Sequence, residues 1–386
     1  MSAARPALAV AASEGKIPLF DIQRQRLRLD HDIRQRMDAV LAHGQFILGP
    51  EVDEFEKQLA AFCGAGHAIA VSSGRDALAI ALMAMGVKAG DAVFVPAFTF
   101  AATAGSVVAV GATPVFVDVE AATFNMDPHD LERAVAETRD VGVLTPRAIM
   151  PVDLYGLPAN YAAISAIADR DGLTVLADAA QSFGGKLGNR RVGALAPVSA
   201  TSFYPTKPLG CYGDGGAVLA EDGRIAEQVR MIRSHGRSGT GDEAVVLGLT
   251  GRLDTLQAAI LLSKLAVFPA ELERRQVIAD RYTAALGGLV TTPSGVAGAA
   301  SAWALYTIRL ANRDAVKAAL DARGIGTGLF YRLALHQHPA FRGMNARALP
   351  VSEMLANEVL SLPMGPDFTD AEIDRVIAAV REAVAV

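Results

Sequence analysis

Ala68-Ile69-Ala70-Val71-Ser72-Ser73-Gly74-Arg75-Asp76 reads as a short apolar strand running into a serine-glycine turn, and residues 76–85 read as the helix behind it. The pattern repeats downstream. Ala92-Val93-Phe94-Val95, Pro114-Val115-Phe116-Val117, Ala148-Ile149-Met150-Pro151-Val152, Thr174-Val175-Leu176-Ala177-Asp178, Ala200-Thr201-Ser202-Phe203 and Ala217-Val218-Leu219-Ala220 are further strand-like runs. Helical stretches such as 131–138 and 161–170 lie between them. Strands alternating with helices predict an α/β fold with a mostly parallel, seven-stranded sheet covered on both faces.

From about residue 266 the pattern changes to a smaller C-terminal α+β domain. Residues 271–285 read as a long helix, 304–310 as a strand with polar alternation, and 313–322 and 370–384 as helices. The expected division is a disordered tail over 1–16, a large domain over 17–265 and a small domain over 266–386. Residues 22–62 read as helical and belong to the large domain, packing on the second unit or at an interface.

The 386 residues are 51% hydrophobic and 20% charged, enough apolar material for a sizeable core. Lys and Arg number 36 against 41 Asp and Glu, and no basic block tracks a nucleic-acid backbone, so nucleic acid is not an expected partner. The two cysteines, Cys63 and Cys211, are far apart, which argues against a disulfide framework and for a cytoplasmic protein. The apolar run 3–12 is short and broken by Pro6, and it reads as a tail rather than a signal peptide. No run of about 18 apolar residues is free of charges and helix breakers, so no membrane span is expected.

In open parallel sheets, ligands sit beyond the carboxyl ends of the strands. Three polar clusters fall there: Ser73-Gly74, Asp178, and Ser202 to Lys207. Lys207 lies in Thr201-Ser202-Phe203-Tyr204-Pro205-Thr206-Lys207-Pro208-Leu209-Gly210, followed by Gly213-Asp214-Gly215-Gly216. An amine held between prolines and glycines, with hydroxyls alongside, meets the needs of a lysine carrying pyridoxal 5'-phosphate (PLP) as a Schiff base. The same amine then serves as the base that moves a proton between two carbons. The bland alternative is a solvated loop lysine. Asp178 ends an otherwise apolar strand, where an unpaired carboxylate is costly, and a protonated pyridine nitrogen is a fitting partner; otherwise it caps the next helix. Gln181 is placed to hold the ring hydroxyl, or is an ordinary helix-surface glutamine. Ser72-Ser73-Gly74-Arg75-Asp76 opens a helix, whose free N–H groups and positive dipole end make an anion site; with Ser202 it forms a phosphate cradle. Phe100, in Pro96-Ala97-Phe98-Thr99-Phe100, stacks on the cofactor ring or is a core residue. His235, His336 and His338 form no metal-like set, and no Gly-x-Ser-x-Gly elbow occurs.

Together, Gly44-Gln45-Phe46-Ile47-Leu48-Gly49-Pro50, Ser73-Gly74-Arg75-Asp76-Ala77-Leu78, Pro96 to Phe100, Asp178-Ala179-Ala180-Gln181-Ser182, the Lys207 segment and Arg252-Leu253-Asp254-Thr255-Leu256-Gln257-Ala258-Ala259 resemble the DegT/StrS family of PLP-dependent sugar aminotransferases, of fold-type I. The Lys207 segment with Cys211 to Gly216 looks most like the branch that aminates C3 of UDP-linked 3-keto-N-acetylglucosaminuronic acid. The resemblance implies Lys207 and Asp178 as catalytic residues, with Ser73, Gly74, Arg75, Phe100, Asp178, Gln181, Ser202, Lys207 and Thr250 around the cofactor. It implies Arg252, Tyr331, Arg332 and His336 on the substrate side, no metal, an amino-acid donor such as glutamate, a nucleotide-linked keto-sugar acceptor, and a homodimer with shared active sites. Lysine rather than histidine at 207 favours transamination over dehydration. This chain departs from the family pattern at Arg75 (usually threonine), Thr250 (usually asparagine), Phe330 and Arg332 (His and Pro in the uronate branch), and across 238–246, which lacks the usual basic and aromatic residues. A PLP-dependent sugar dehydratase or lyase, and a non-catalytic PLP- or sugar-nucleotide-binding regulatory protein, stay open as alternatives.

Overall fold

A computed structural model describes residues 15–239, 241–344 and 346–385; the expected tail over 1–16 lies outside them up to residue 14. Three helices lead in: α1 (Ile22–Arg28), α2 (Asp30–His43) and α3 (Pro50–Cys63). The main sheet is then laid down in alternation with helices: β1 (His67–Val71), α4 (Gly74–Ala84), β2 (Asp91–Pro96), α5 (Ala101–Ala109), β3 (Thr113–Val117), α6 (Pro128–Val141), β4 (Thr145–Ile149), α7 (Tyr161–Asp171) and β5 (Thr174–Asp178). A short hairpin, β6 (Lys186–Leu187) and β7 (Arg190–Arg191), precedes β8 (Val198–Ser202) and β9 (Gly216–Ala220). The strand order is β1-β9-β8-β5-β4-β2-β3, seven strands in all. β9 runs antiparallel to both β1 and β8, and the remaining pairings are parallel. The sheet is therefore mostly parallel, as the seven strand-like runs predicted.

Alternation along each strand explains why both faces are covered. Val93 and Val95 of β2 pack with Ile80 of α4 and Val107 of α5 on one side. Ala92 and Phe94 face Leu131 and Val135 of α6 and Ile164 of α7 on the other. Every residue of β2 and β9 is buried, which is why these strands read as unbroken apolar runs. At the β1 end, Ala68 and Ala70 turn towards Val52, Phe55 and Leu59 of α3.

After α8 (Gly223–Ile232) comes α9 (Thr255–Leu286), a single helix of 32 residues. The helix predicted over 271–285 thus begins well upstream, and the expected partition at 265 and 266 falls inside it. Its first half is buried nearly all round, so it carries no amphipathic stripe to read. Among the described residues it is the one helix long and apolar enough to cross a bilayer, yet 61% of its apolar window is buried against the rest of the chain. The remaining elements are β10 (Ala299–Ala300), which joins β6, then β11 (Tyr306–Arg309), α10 (Arg313–Ala322), α11 (Pro350–Glu358), β12 (Val359–Leu362) and α12 (Asp370–Val384). β11 and β12 pair antiparallel, and α10, α12 and the second half of α9 pack on them. Ile17 joins this C-terminal core, donating its N–H to Gly324 at 2.8 Å, and Arg24 of α1 forks onto Glu372 of α12 at 2.7 and 2.6 Å.

Candidate active site

The carboxyl ends of β1, β2, β5 and β8 open onto one edge of the sheet. At the end of β1, Ser73 caps α4, its hydroxyl accepting from Asp76 N–H at 3.0 Å. The N–H groups of Gly74 and Arg75, in the first helical turn, have no acceptor within the helix and point out of its positive end. Gly74 lies hard against the end of β8. A Cβ built on it would stand 2.5 Å from Ser202 Cβ and 3.1 Å from Ser202 Cα, so only glycine fits. This contact brings the Ser202 hydroxyl to the same helix end, as expected for an anion cradle. The Arg75 side chain turns away from it and donates to the Gly105 carbonyl of α5 at 3.4 Å.

Asp178 ends β5 and is 4% exposed. No helix follows it: a chain of turns runs through residues 180–184, so it is not a helix cap. Burial pushes its pKa up, opposed by the Thr103 hydroxyl, the Ala180 N–H and the charge of Lys207. Thr103, in the first turn of α5, donates to Oδ2 at 2.8 Å, and Ala180 donates to Oδ1 at 3.2 Å. Among the described residues only neutral donors contact this buried carboxylate, and a protonated ring nitrogen would add a charged one.

Lys207 is half-buried, and burial lowers its pKa against the pull of Asp178. Its loop is tied at both ends: Cys211 N–H donates to the Phe203 carbonyl at 2.8 Å, and Lys207 N–H to Tyr204 at 2.8 Å. Gly210 permits the tight return, since a Cβ there would meet the Tyr204 and Pro205 carbonyls at 2.7 Å. Behind it, the buried Lys264 of α9 donates to the Gly210 carbonyl at 2.5 Å and sits 4.3 Å from the Tyr212 ring centroid.

Gln181 is buried at 4% exposure, not on a helix surface. Its amide oxygen accepts from Tyr155 N–H at 2.8 Å and its amide nitrogen donates to the Tyr331 hydroxyl at 3.1 Å. Phe100 packs at 6.1 Å from the Tyr331 ring, tilted by 35°, and is 56% exposed. It is therefore not a core phenylalanine: one face is open to a planar ligand.

The other residues singled out by sequence lie further out. Arg252 pairs by backbone with Val71 at the end of β1, and its Nε is buried with no hydrogen-bond partner among the described residues. Thr250 is exposed, its hydroxyl 3.3 Å from His235 Nε2. Arg332 is exposed beside Tyr331 and makes no hydrogen bond or ion pair to the described residues. His336 Nε2 lies 2.9 Å from Glu353, and its ring packs near Phe116. Thr103, Tyr155 and Asp153 were missed. The Thr103 hydroxyl lies 3.4 Å from that of Thr99, which precedes α5, a contact the sequence does not announce.

A phosphate cradle, a buried carboxylate seeking a cation, an amine with lowered pKa and an open aromatic face share one edge, and these residues fit PLP. The DegT/DnrJ/EryC1/StrS aminotransferase family model matches residues 27–381. The chain is 44% identical over 367 residues to the UDP-2-acetamido-2-deoxy-3-oxo-D-glucuronate aminotransferase of Pseudomonas aeruginosa, covering 94% of this chain and 99% of that one. It superposes on the crystal structure of a DegT DnrJ EryC1 StrS aminotransferase from Brucella abortus with a TM-score of 0.93 and 48% identity, covering 95% and 99% of the two chains. It also matches NtdA from Bacillus subtilis with bound cofactor PMP, the amine form of PLP, at a TM-score of 0.88 and 30% identity, covering 96% and 86%. The chain belongs to the DegT/DnrJ/EryC1/StrS aminotransferase family, whose cofactor is PLP.

Proposed function

We propose that this protein transfers an amino group from L-glutamate to a keto group of a nucleotide-linked sugar, acting as a cytoplasmic homodimer by a ping-pong route. The observation that carries the reading is the meeting of Lys207, Asp178 and the Gly74–Ser202 cradle at one sheet edge. PLP, when bound, supplies an aldehyde that condenses with amines and a ring that takes up the charge left when a neighbouring C–H bond breaks. In this reading the N–H groups of Gly74 and Arg75 and the Ser202 hydroxyl hold its phosphate. Asp178, oriented by Thr103, keeps the ring nitrogen protonated. Phe100 covers one ring face, and Gln181 reaches the ring hydroxyl.

With the cofactor bound, Lys207 Nζ would carry it as a Schiff base and give it up to the donor amine, and the freed amine would move a proton from one to the other of the two carbons flanking the nitrogen, in the reverse sense for the acceptor. Burial supports this role, because a lysine with lowered pKa is more often neutral at neutral pH. The activity of the Pseudomonas aeruginosa relative, an aminotransferase of a UDP-linked 3-oxo sugar, supports a nucleotide-linked 3-keto sugar as acceptor. Arg332, exposed beside Tyr331, suits an acidic group on it, and the exposed Phe46, Ile47 and Leu247 suit burial against a second copy. Arg252 and Thr250 lie at the β1 edge, where such a copy would complete the phosphate pocket.

The test is two-stage. Holoenzyme incubated with L-glutamate alone should release one equivalent of 2-oxoglutarate and stop. Adding a UDP-linked 3-keto sugar should restart release and give an aminated sugar nucleotide. No 2-oxoglutarate in the first stage removes glutamate as donor, and no aminated sugar with any keto-sugar nucleotide removes the acceptor class.

A further inference from the structure

Asp153 is wholly buried, at 0% exposure, in the turn after β4. Its Oδ1 accepts from Ala159 N–H at 2.8 Å and from the Tyr161 hydroxyl at 2.9 Å. Its Oδ2 accepts from the Ser182 hydroxyl at 2.8 Å, and its own N–H donates to the Asp178 carbonyl at 3.2 Å. One carboxylate thus joins the start of α7, the turn carrying Tyr155, and the turn carrying Gln181 and Ser182. No lysine, arginine or histidine among the described residues pairs with it. The titratable groups facing it are Tyr161 from α7 and Asp178 at the end of β5, and neither brings positive charge. Hydrogen bonds alone compensate a buried carboxylate here, an arrangement that shape-filling does not require.

The consequence reaches the cofactor site through Gln181. Because Tyr155 N–H engages the Gln181 amide oxygen, the amide nitrogen must face Tyr331. Tyr155 holds that pose in a left-handed backbone conformation, with φ at 58°. The pose persists only while the 153–156 turn stays locked to the 178–182 turn, and Asp153 makes that lock. We propose that Asp153 is a positioning residue, aiming the Gln181–Tyr331 arm at the cofactor through Ser182 and doing so fully only as a carboxylate that accepts all three donors. Burial raises its pKa to about 6, against the three donors, with the Asp178 charge adding to the rise. A protonated carboxyl gives up part of its accepting capacity.

The inference rests on the assignment of Gln181 to the cofactor, and the test separates the two. Asp153→Asn keeps the shape but cannot ionise. In holoenzyme it should lower kcat about tenfold to a hundredfold with KM for the donor little changed, as expected for a misaimed site. It should also remove the inflection near pH 6 from the acid limb of kcat and from the visible absorbance of bound cofactor. In apoprotein, wild-type stability contributed by neutral Asp153 is present below the unfolded pKa near 3.9 and fades as pH rises through about 6. Asp153→Asn should therefore melt progressively higher relative to wild type across that window. If Asp153→Asn does not fold, Ser182→Ala, which removes one donor, should move the same inflection upward. Unchanged pH profiles in the variant that folds would overturn the proposal, provided Gln181→Leu perturbs the cofactor absorbance. If Gln181→Leu leaves that absorbance untouched, the assignment of Gln181 fails instead, and the proposal with it.

Discussion

Gly74→Ala is the sharpest perturbation of the cradle. The added methyl would stand 2.5 Å from Ser202 Cβ, 2.9 Å from its Oγ and 3.1 Å from its Cα, where carbon pairs prefer about 3.5–4.0 Å. Ser202 ends β8, paired on one side to β9 and on the other side flanked by β5, so it cannot swing away as a loose side chain would. The helix start and the strand end must separate by roughly 1 Å. Overpacking of this kind costs about 1–3 kcal/mol, offset by up to about 1 kcal/mol because alanine restricts the unfolded chain. With the full offset the net loss is about 0–2 kcal/mol, read as a lower urea midpoint with unchanged slope. The larger effect falls on the cofactor. A hydrogen bond to a charged group contributes about 1.5–3 kcal/mol, so one displaced N–H weakens PLP by roughly tenfold to a hundredfold. PLP titration of the apoprotein, followed by visible absorbance, measures this. Ser202→Gly in the same chain should restore the urea midpoint but not the affinity, because it relieves the clash while removing a hydroxyl from the cradle. Gly74→Ala with wild-type midpoint and PLP affinity would refute the close packing of Gly74 on Ser202 and its role in anion binding.

Thr103→Val leaves the Asp178 carboxylate short of a donor, raising its pKa further; the acid limb of activity should move up by about one pH unit, and an unmoved limb would separate Thr103 from Asp178 function. Lys264→Met addresses a buried lysine whose pKa is lowered to about 8 by burial. The unfolded chain holds that proton up to about pH 10.4, so wild-type stability should gain from this group between pH 8 and 10, and the variant's melting curve should be flatter there. Arg332→Ala should raise KM for the keto-sugar nucleotide by roughly tenfold while leaving the glutamate half-reaction intact, and an unchanged acceptor KM removes Arg332 from substrate recognition.

Strand positions in the sheet were legible because fully covered strands are apolar throughout, as Phe94 and Val95 show by packing on opposite faces. β12 was not legible, because Val359 follows Glu358 of α11 without a turn residue between them. The start of α9 was hidden for the opposite reason: from Ala258 to Leu265 every residue is buried, Lys264 included, so no polar face marks the period. In the site, residues at strand ends announced themselves, since Asp178 and Ser202 interrupt apolar runs. The residues that orient them did not. Thr103 and Asp153 reach their partners Asp178 and Ser182 across the fold, from positions 75 and 29 residues away. Such contacts depend on strand order, which local sequence does not specify. The departure at Arg75 acquired a physical account only in three dimensions, where the side chain leans on α5 and leaves its N–H to the cradle.

Reducing the holoenzyme with borohydride and mapping the phosphopyridoxyl label by peptide mass spectrometry shows which lysine carries the cofactor. Lys264 is the informative competitor, another buried lysine with lowered pKa, but one bound to the Gly210 carbonyl behind the loop. The label should fall on Lys207 alone and be lost when glutamate is added before reduction. Label on Lys264, or on no lysine, would mean that Lys207 does not carry the cofactor.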